Sequence, residues 1–187
     1  MTLDADHASP GDLQLLREQF GDGGPEDALG WQAVHAFENR HGVVLPEPYR
    51  TFVAEITDGT SLGPTDHDGI LPLGHLPADW PSDLGERNLS APFPLTERWI
   101  WEEDEEEPDT DAVFGNGSII LGTDGCGMNW HLIVAGEHRG HVWFVCGEGA
   151  APFGAEFGDT TAEPGLAGWV RHWAEGKFWW DTAGPSV

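Results

Sequence analysis

Cys126, His131, His138 and His141 fall close together in the chain, and their types admit two chemistries. Cys126 with His131 or His141 is the pair that a nucleophile and its base would use. Such a pair needs spatial adjacency and a third group to orient the base. No catalytic-cysteine signature surrounds Cys126, which reads instead as a small buried thiol. Zinc is the second chemistry, but neither HExxH nor CxxC spacing occurs. Strand alternation sets His131 on the face opposite Trp130 and Leu132, while His138 falls in a loop. The residues thus predict scattered surface histidines, no catalytic residue, no metal and no cofactor. The nearby GTDGCG (122–127) lacks the lysine or following helix that a phosphate cradle requires, and Asp124 opposes an anion. A tight turn with positive φ is the expected use of its glycines.

The second candidate is RWIWEEDEEEPDTD, residues 98–111. It lacks the D-x-D-x-D-G spacing that bends a loop around calcium, and successive glutamates cannot all point inward. As a helix capped by Thr96, it would crowd its acids at the C-terminal end, where the macrodipole disfavours them. As a strand, it would place Leu95, Trp99 and Trp101 on one face. The expectation is a strand to about Trp101, followed by an exposed acidic loop closed by Pro108. Two uses stay open for that loop: solvation alone, or contact with a positively charged partner. In the second, Glu102, Glu103, Asp104, Glu105, Glu106 and Glu107 steer the partner and Trp99 or Trp101 anchors it.

Whole-chain composition narrows the classes. Eight Lys and Arg against 33 Asp and Glu give a formal charge of −25. Such a field repels nucleic acid and anionic membranes and attracts basic proteins. No window approaches the roughly 18 apolar residues of a membrane span. The start, MTLDADHASP, has no signal-peptide character, and two cysteines make no disulfide framework. A cytoplasmic location is expected. Lys177 is the one lysine, and Ala, Gly and Pro abound, a bias of GC-rich bacterial genomes. Ten tryptophans and nine phenylalanines suffice for a core.

The elements that position these residues follow from periodicity. Leu13, Leu16 and Phe20 suggest a short helix over Asp12–Phe20. A second is expected over Pro25–His41, with Leu29, Ala33 and Phe37 on one stripe. Tyr49, Phe52, Val53 and Ile56 mark a third, stopped at Asp58-Gly59. GILPL (69–73) and SIILG (118–122) read as strands, and NWHLIV (129–134) and HVWFVC (141–146) as a hairpin around AGEHRG. Leu166, Trp169, Val170 and Trp173 form a closing helix that ends near Gly176. Helices, then strands, then one helix make an α+β fold with a central, mainly antiparallel sheet. The expected organisation is an N-terminal segment (1–24) able to hold a short helix, one domain (25–176) carrying the acidic insert 102–111, and a C-terminal tail (177–187).

This series also resembles a known family. Phe37-Glu38 leads to Gly42, Leu45-Pro46, then PYRTF and a closing DG; GILPL, LGTDGCG and RGHVWF follow in order. Over residues 27–175 this is similar to the SUKH superfamily, which includes the fungal cell-wall-assembly regulator domain and many bacterial relatives. The resemblance implies a single α+β domain without a catalytic motif. Bacterial members look like immunity proteins that neutralise polymorphic toxins, many of them nucleases; fungal members look like interaction scaffolds. The acidic stretch 102–109 departs from the general pattern. The implied function is an immunity protein that occludes a basic toxin, and the alternative is a regulatory scaffold unrelated to toxins.

Overall fold

The computed structural model describes residues 7–21, 27–66, 69–101, 108–154 and 163–177. Three helical elements open the chain: α1 (Pro10–Phe20), α2 (Trp31–His41) and α3 (Tyr49–Thr51), which runs into a π-helical turn over Phe52–Ile56. Then come β1 (Trp99–Ile100), α4 (Thr110–Gly115), β2 (Ser118–Gly125), β3 (Met128–Ile133), β4 (Val142–Cys146), β5 (Gly149–Pro152) and α5 (Leu166–Ala174). The five strands form one antiparallel sheet in the order β1-β5-β4-β3-β2. The α+β class, with helices at both ends and a central antiparallel sheet, is the expected one.

Local chemistry explains the hairpins. Gly125 pairs with Met128, and Cys126 and Gly127 between them have φ of 53° and 77°. Two positive central φ values match the right-handed twist of the flanking strands, so the GTDGCG glycines serve a turn as expected. The sheet is buried on both faces. On one, Ile119, Leu121, Trp130, Leu132 and Val142 pack against Leu16, Val34, Phe52 and Trp169 from the helices. Trp130 is fully buried, with the Trp169 ring 5.3 Å and the Phe144 ring 5.1 Å away. On the other, Ile133, Trp143, Val145 and Ala150 pack beneath Phe93, Val113, Leu95 and Phe114, supplied by α4 and the irregular chain before it.

One buried ion pair sets the turn between α2 and α3. Glu38 Oε1 accepts the Leu45 N–H (2.9 Å) and Arg50 Nε–H (2.7 Å), and Oε2 accepts Arg50 Nη2–H (2.9 Å). The Phe37-Glu38 and Leu45-Pro46 motifs are therefore parts of one latch.

Several expectations need correcting. α1 starts at Pro10, because the Ser9 hydroxyl accepts the Asp12 N–H. α2 starts at Trp31 and not Pro25, since Gly30 sits at φ 85°, outside helical space. GILPL forms no strand: Gly69 is left-handed, and Leu71 N–H alone reaches Leu121 O at the edge of β2. β1 ends at Ile100, so Trp101 does not share the buried face of Trp99; it is 59% exposed. The helix α4 and the strand β5 were not anticipated. Among the described residues no helix is long and apolar enough to cross a membrane.

Candidate functional site

Each residue of the sequence-derived candidates has a definite place or lies outside the described residues. Trp99 is buried in β1 opposite Ala150. Trp101 donates its N–H to Glu148 O while its ring faces solvent. Glu102, Glu103, Asp104, Glu105, Glu106 and Glu107 lie outside the described residues. Cys126 is exposed at the β2–β3 turn, not buried. His138 and His141 meet, with their Nδ1 atoms 3.2 Å apart and the His138 ring 5.3 Å from Trp143. His131 is fully buried, contrary to the surface position expected of it. Alternation set it on the correct face, but that face carries a second layer. Among the described residues no group of three or more His, Cys, Asp or Glu is placed to hold a metal.

That second layer is organised by a residue the sequence did not flag. Arg87 donates from Nε to Phe114 O (3.2 Å), and from Nη2 to Ser118 O (2.7 Å) and Ser118 Oγ (3.1 Å). Its guanidinium lies 5.3 Å from the Trp80 ring centroid, a cation–π stack. Ser118 Oγ is also 2.9 Å from His131 Nδ1. Arginine only donates, so Ser118 Oγ accepts from Arg87 and turns its own hydrogen to Nδ1. That assignment leaves the His131 proton on Nε2, which has no hydrogen-bond partner. Burial and then the Arg87 charge hold the His131 pKa well below its usual range, so the imidazole is neutral. Burial also brings the Arg87 pKa down to about 10.

Ser118 and His131 have the look of a nucleophile and base, yet both are fully buried. Among the described residues no carboxylate orients the ring, whose Nε2 has no hydrogen-bond partner. The pair holds β2 to β3 and supports the layer above.

Outside this network lies a cavity of about 270 Å³, lined among others by Trp80, Glu86, Arg87, Asp109, Asp111 and Phe114. Trp80 and Phe114 meet edge to face, with ring centroids 5.8 Å apart. Both rings also pack 6.2 Å from the His131 ring. Asp109 caps α4 by accepting the Ala112 N–H, and Asp111 sits in its first turn, where the helix dipole favours acids. Glu86, Asp109 and Asp111 are exposed. Arg87 has no carboxylate within ion-pair distance among the described residues. The cavity therefore has aromatic walls, an acidic rim and a guanidinium at its side. It opens beside the point where the acidic segment 102–107 rejoins the described chain. A sequence signal existed in retrospect: an arginine and a tryptophan within an acidic, Pro-rich stretch.

A model of the SMI1 / KNR4 family (SUKH-1) matches residues 32–162. That is well over half of the chain, and it runs from the first turn of α2 through β5. No curated protein and no solved structure matches the chain significantly. The chain belongs to the SMI1 / KNR4 family (SUKH-1), a family of protein-interaction modules.

Proposed function

We propose that this SUKH-1 protein is a binding protein, not an enzyme, and that it neutralises a basic polymorphic toxin such as a nuclease. Its carboxylates would occupy the groove in which the toxin holds phosphate. The observation that carries this reading is the charge of −25 on a member of a protein-interaction family. A field of that size raises the association rate with a basic partner by about 10–10³-fold, an advantage lost as salt rises. Glu102 to Glu107 supply the steering, and exposed Trp101 supplies an aromatic contact of the kind that dominates interface energies. Trp99 supports Trp101 from within the sheet and takes no direct part. The protein acts in the cytoplasm, through a unit spanning residues 25–176.

The family match supports a regulatory scaffold equally well, so the test addresses the partner. The neighbouring reading frames are searched for a basic, toxin-like domain; any that is found is purified, and its association rate is measured across salt concentrations. Wild-type protein should bind with a rate that falls steeply with salt. Replacing the six acids by Ser and Gln should lower the low-salt rate at least about ten-fold. Unchanged binding would remove the steering assignment, and the absence of any such neighbouring domain would favour the scaffold.

A further inference from the structure

Resting on the binding-protein reading above, we infer that the cavity lined by Trp80, Phe114 and the carboxylates of Glu86, Asp109 and Asp111 receives one arginine side chain of the protein partner.

Three features of the cavity select that occupant. The first is size. About 270 Å³ lies below the range of roughly 300–1,000 Å³ in which drug-sized ligands and cofactors bind, and suits a single long side chain. The second is charge. Glu86, Asp109 and Asp111 contribute three negative charges and Arg87 one positive, a net −2 (1 − 3) around the cavity. Arg87 turns Nε and one Nη inward to Phe114 O and Ser118, and its positive face is stacked on Trp80. An incoming anion would have to pass the exposed carboxylates before reaching it, whereas a cation meets those carboxylates first. The third is shape. Trp80 and Phe114 both line the cavity, and aromatic walls beside carboxylates suit a planar guanidinium with its fork of N–H donors. An ammonium, strongly hydrated and round, gains less from the same walls.

Arg87 itself acts as a positioning residue here. By binding the Phe114 backbone carbonyl and stacking on the Trp80 ring it holds the α4 main chain and one aromatic wall in place, which lowers the ordering cost when the cavity fills. Asp109 and Asp111 of its rim follow the acidic segment closely in sequence.

The test uses the full ¹⁵N-labelled chain and N-acetyl-arginine amide, whose single charge is the guanidinium. N-acetyl-lysine amide and acetate are the comparators. Arginine amide should produce saturable shifts in the Trp80 indole N–H signal and the Glu86 and Ala112 amides, with weaker shifts from the lysine probe. The exposed double variant E86Q/D111N should weaken arginine binding roughly three- to ten-fold while leaving the spectrum dispersed. Trp80→Ala should abolish the saturable response. Failure of the wild-type cavity to respond, equal affinity in E86Q/D111N, or preferential binding of acetate would each overturn the inference. A partner that binds through residues 102–107 while the cavity ignores arginine overturns only this inference. Arginine binding without any basic partner removes only the toxin reading.

Discussion

Glu38 offers the sharpest test of how the helical layer is held. Its side chain is 8% exposed and that of Arg50 27%, and three hydrogen bonds converge on the carboxylate. Glu38→Ala strands the Leu45 N–H and an arginine in one step. Breaking a buried pair in this way costs about 3–5 kcal/mol. The lower end, about 3 kcal/mol, applies because Arg50 can regain water on its exposed side. In a chain of this length that corresponds to a fall in Tm of about 6–12 °C. Glu38→Gln keeps an acceptor for Leu45 but loses the charge, and should cost about 1–2 kcal/mol. A double-mutant cycle with Arg50→Met should return a coupling of about 2 kcal/mol. Acid adds a second check. Burial raises the Glu38 pKa, but the Arg50 hydrogen bonds, the Leu45 amide and the Arg50 charge outweigh it, and the net shift is downward. A lowered carboxylate contributes stability above its unfolded value near 4.5 and loses that contribution as pH falls through the folded value. The gap between wild type and Glu38→Gln in urea denaturation should therefore narrow below about pH 4.5. A Glu38→Ala loss under about 1 kcal/mol, or strict additivity with Arg50→Met, would refute the latch.

Two further outcomes follow from single residues. Burial lowers the pKa of His131, reinforced by Arg87, and that of His141, reinforced by His138. Both are neutral in the fold, so the unfolded chain binds more protons between the folded values and about 6.5. Stability should be complete above about pH 6.5 and fall with acid below it, and His141→Asn should flatten part of that slope; equal unfolding midpoints at pH 7.5 and 5.5 would contradict this. Gly117 has φ 61°, and an added Cβ would lie 2.7 Å from the Ala91 and Ala135 carbonyl oxygens and closer still to Phe93 N. Gly117→Ala should cost more than about 3 kcal/mol by thermal or chemical unfolding, since both the backbone conformation and the space exclude a side chain.

What the sequence disclosed depended on whether a structure was locally determined. The apolar spacing of α5, the alternation of β3 and β4 and the glycines of the β2–β3 turn carry their own periods, and these elements stand as expected. β5 did not show itself, because Gly-Ala-Ala-Pro has neither β-branched residues nor a period, and its conformation comes from pairing with β4 and β1. α4 is six residues long and follows directly on an acidic run, so in the sequence its Asp109 cap is indistinguishable from that run. The Pro-rich chain from Leu76 to Pro94 has no repeat at all. Its course is set by tertiary bonds: Asn88 N–H to Gly115 O, Phe93 N–H to Ala135 O, and the Arg87 network. With that covering layer absent from the sequence pattern, alternation gives the face of His131 but not its burial. Trp101 erred oppositely: period two would have buried it with Trp99, but the strand ends one residue earlier.

The placement of Arg87 gives these observations a common cause. A guanidinium without a neighbouring carboxylate is costly to bury, and this chain has acids in excess with which to pair it. Pairing would have required one of them to enter the layer over β2 and β3. The arginine is satisfied instead by Phe114 O, by Ser118 and by the face of Trp80, all fixed dipoles or rings that carry no net charge. Glu86, Asp109 and Asp111 consequently remain at the surface with their charges unspent on the interior. The arrangement separates two tasks that one ion pair would have merged: a cation shapes the cavity from behind, and anions stay at its exposed rim. Under the proposed binding of a basic partner, that separation would keep the recognition charge independent of the charge that holds the fold.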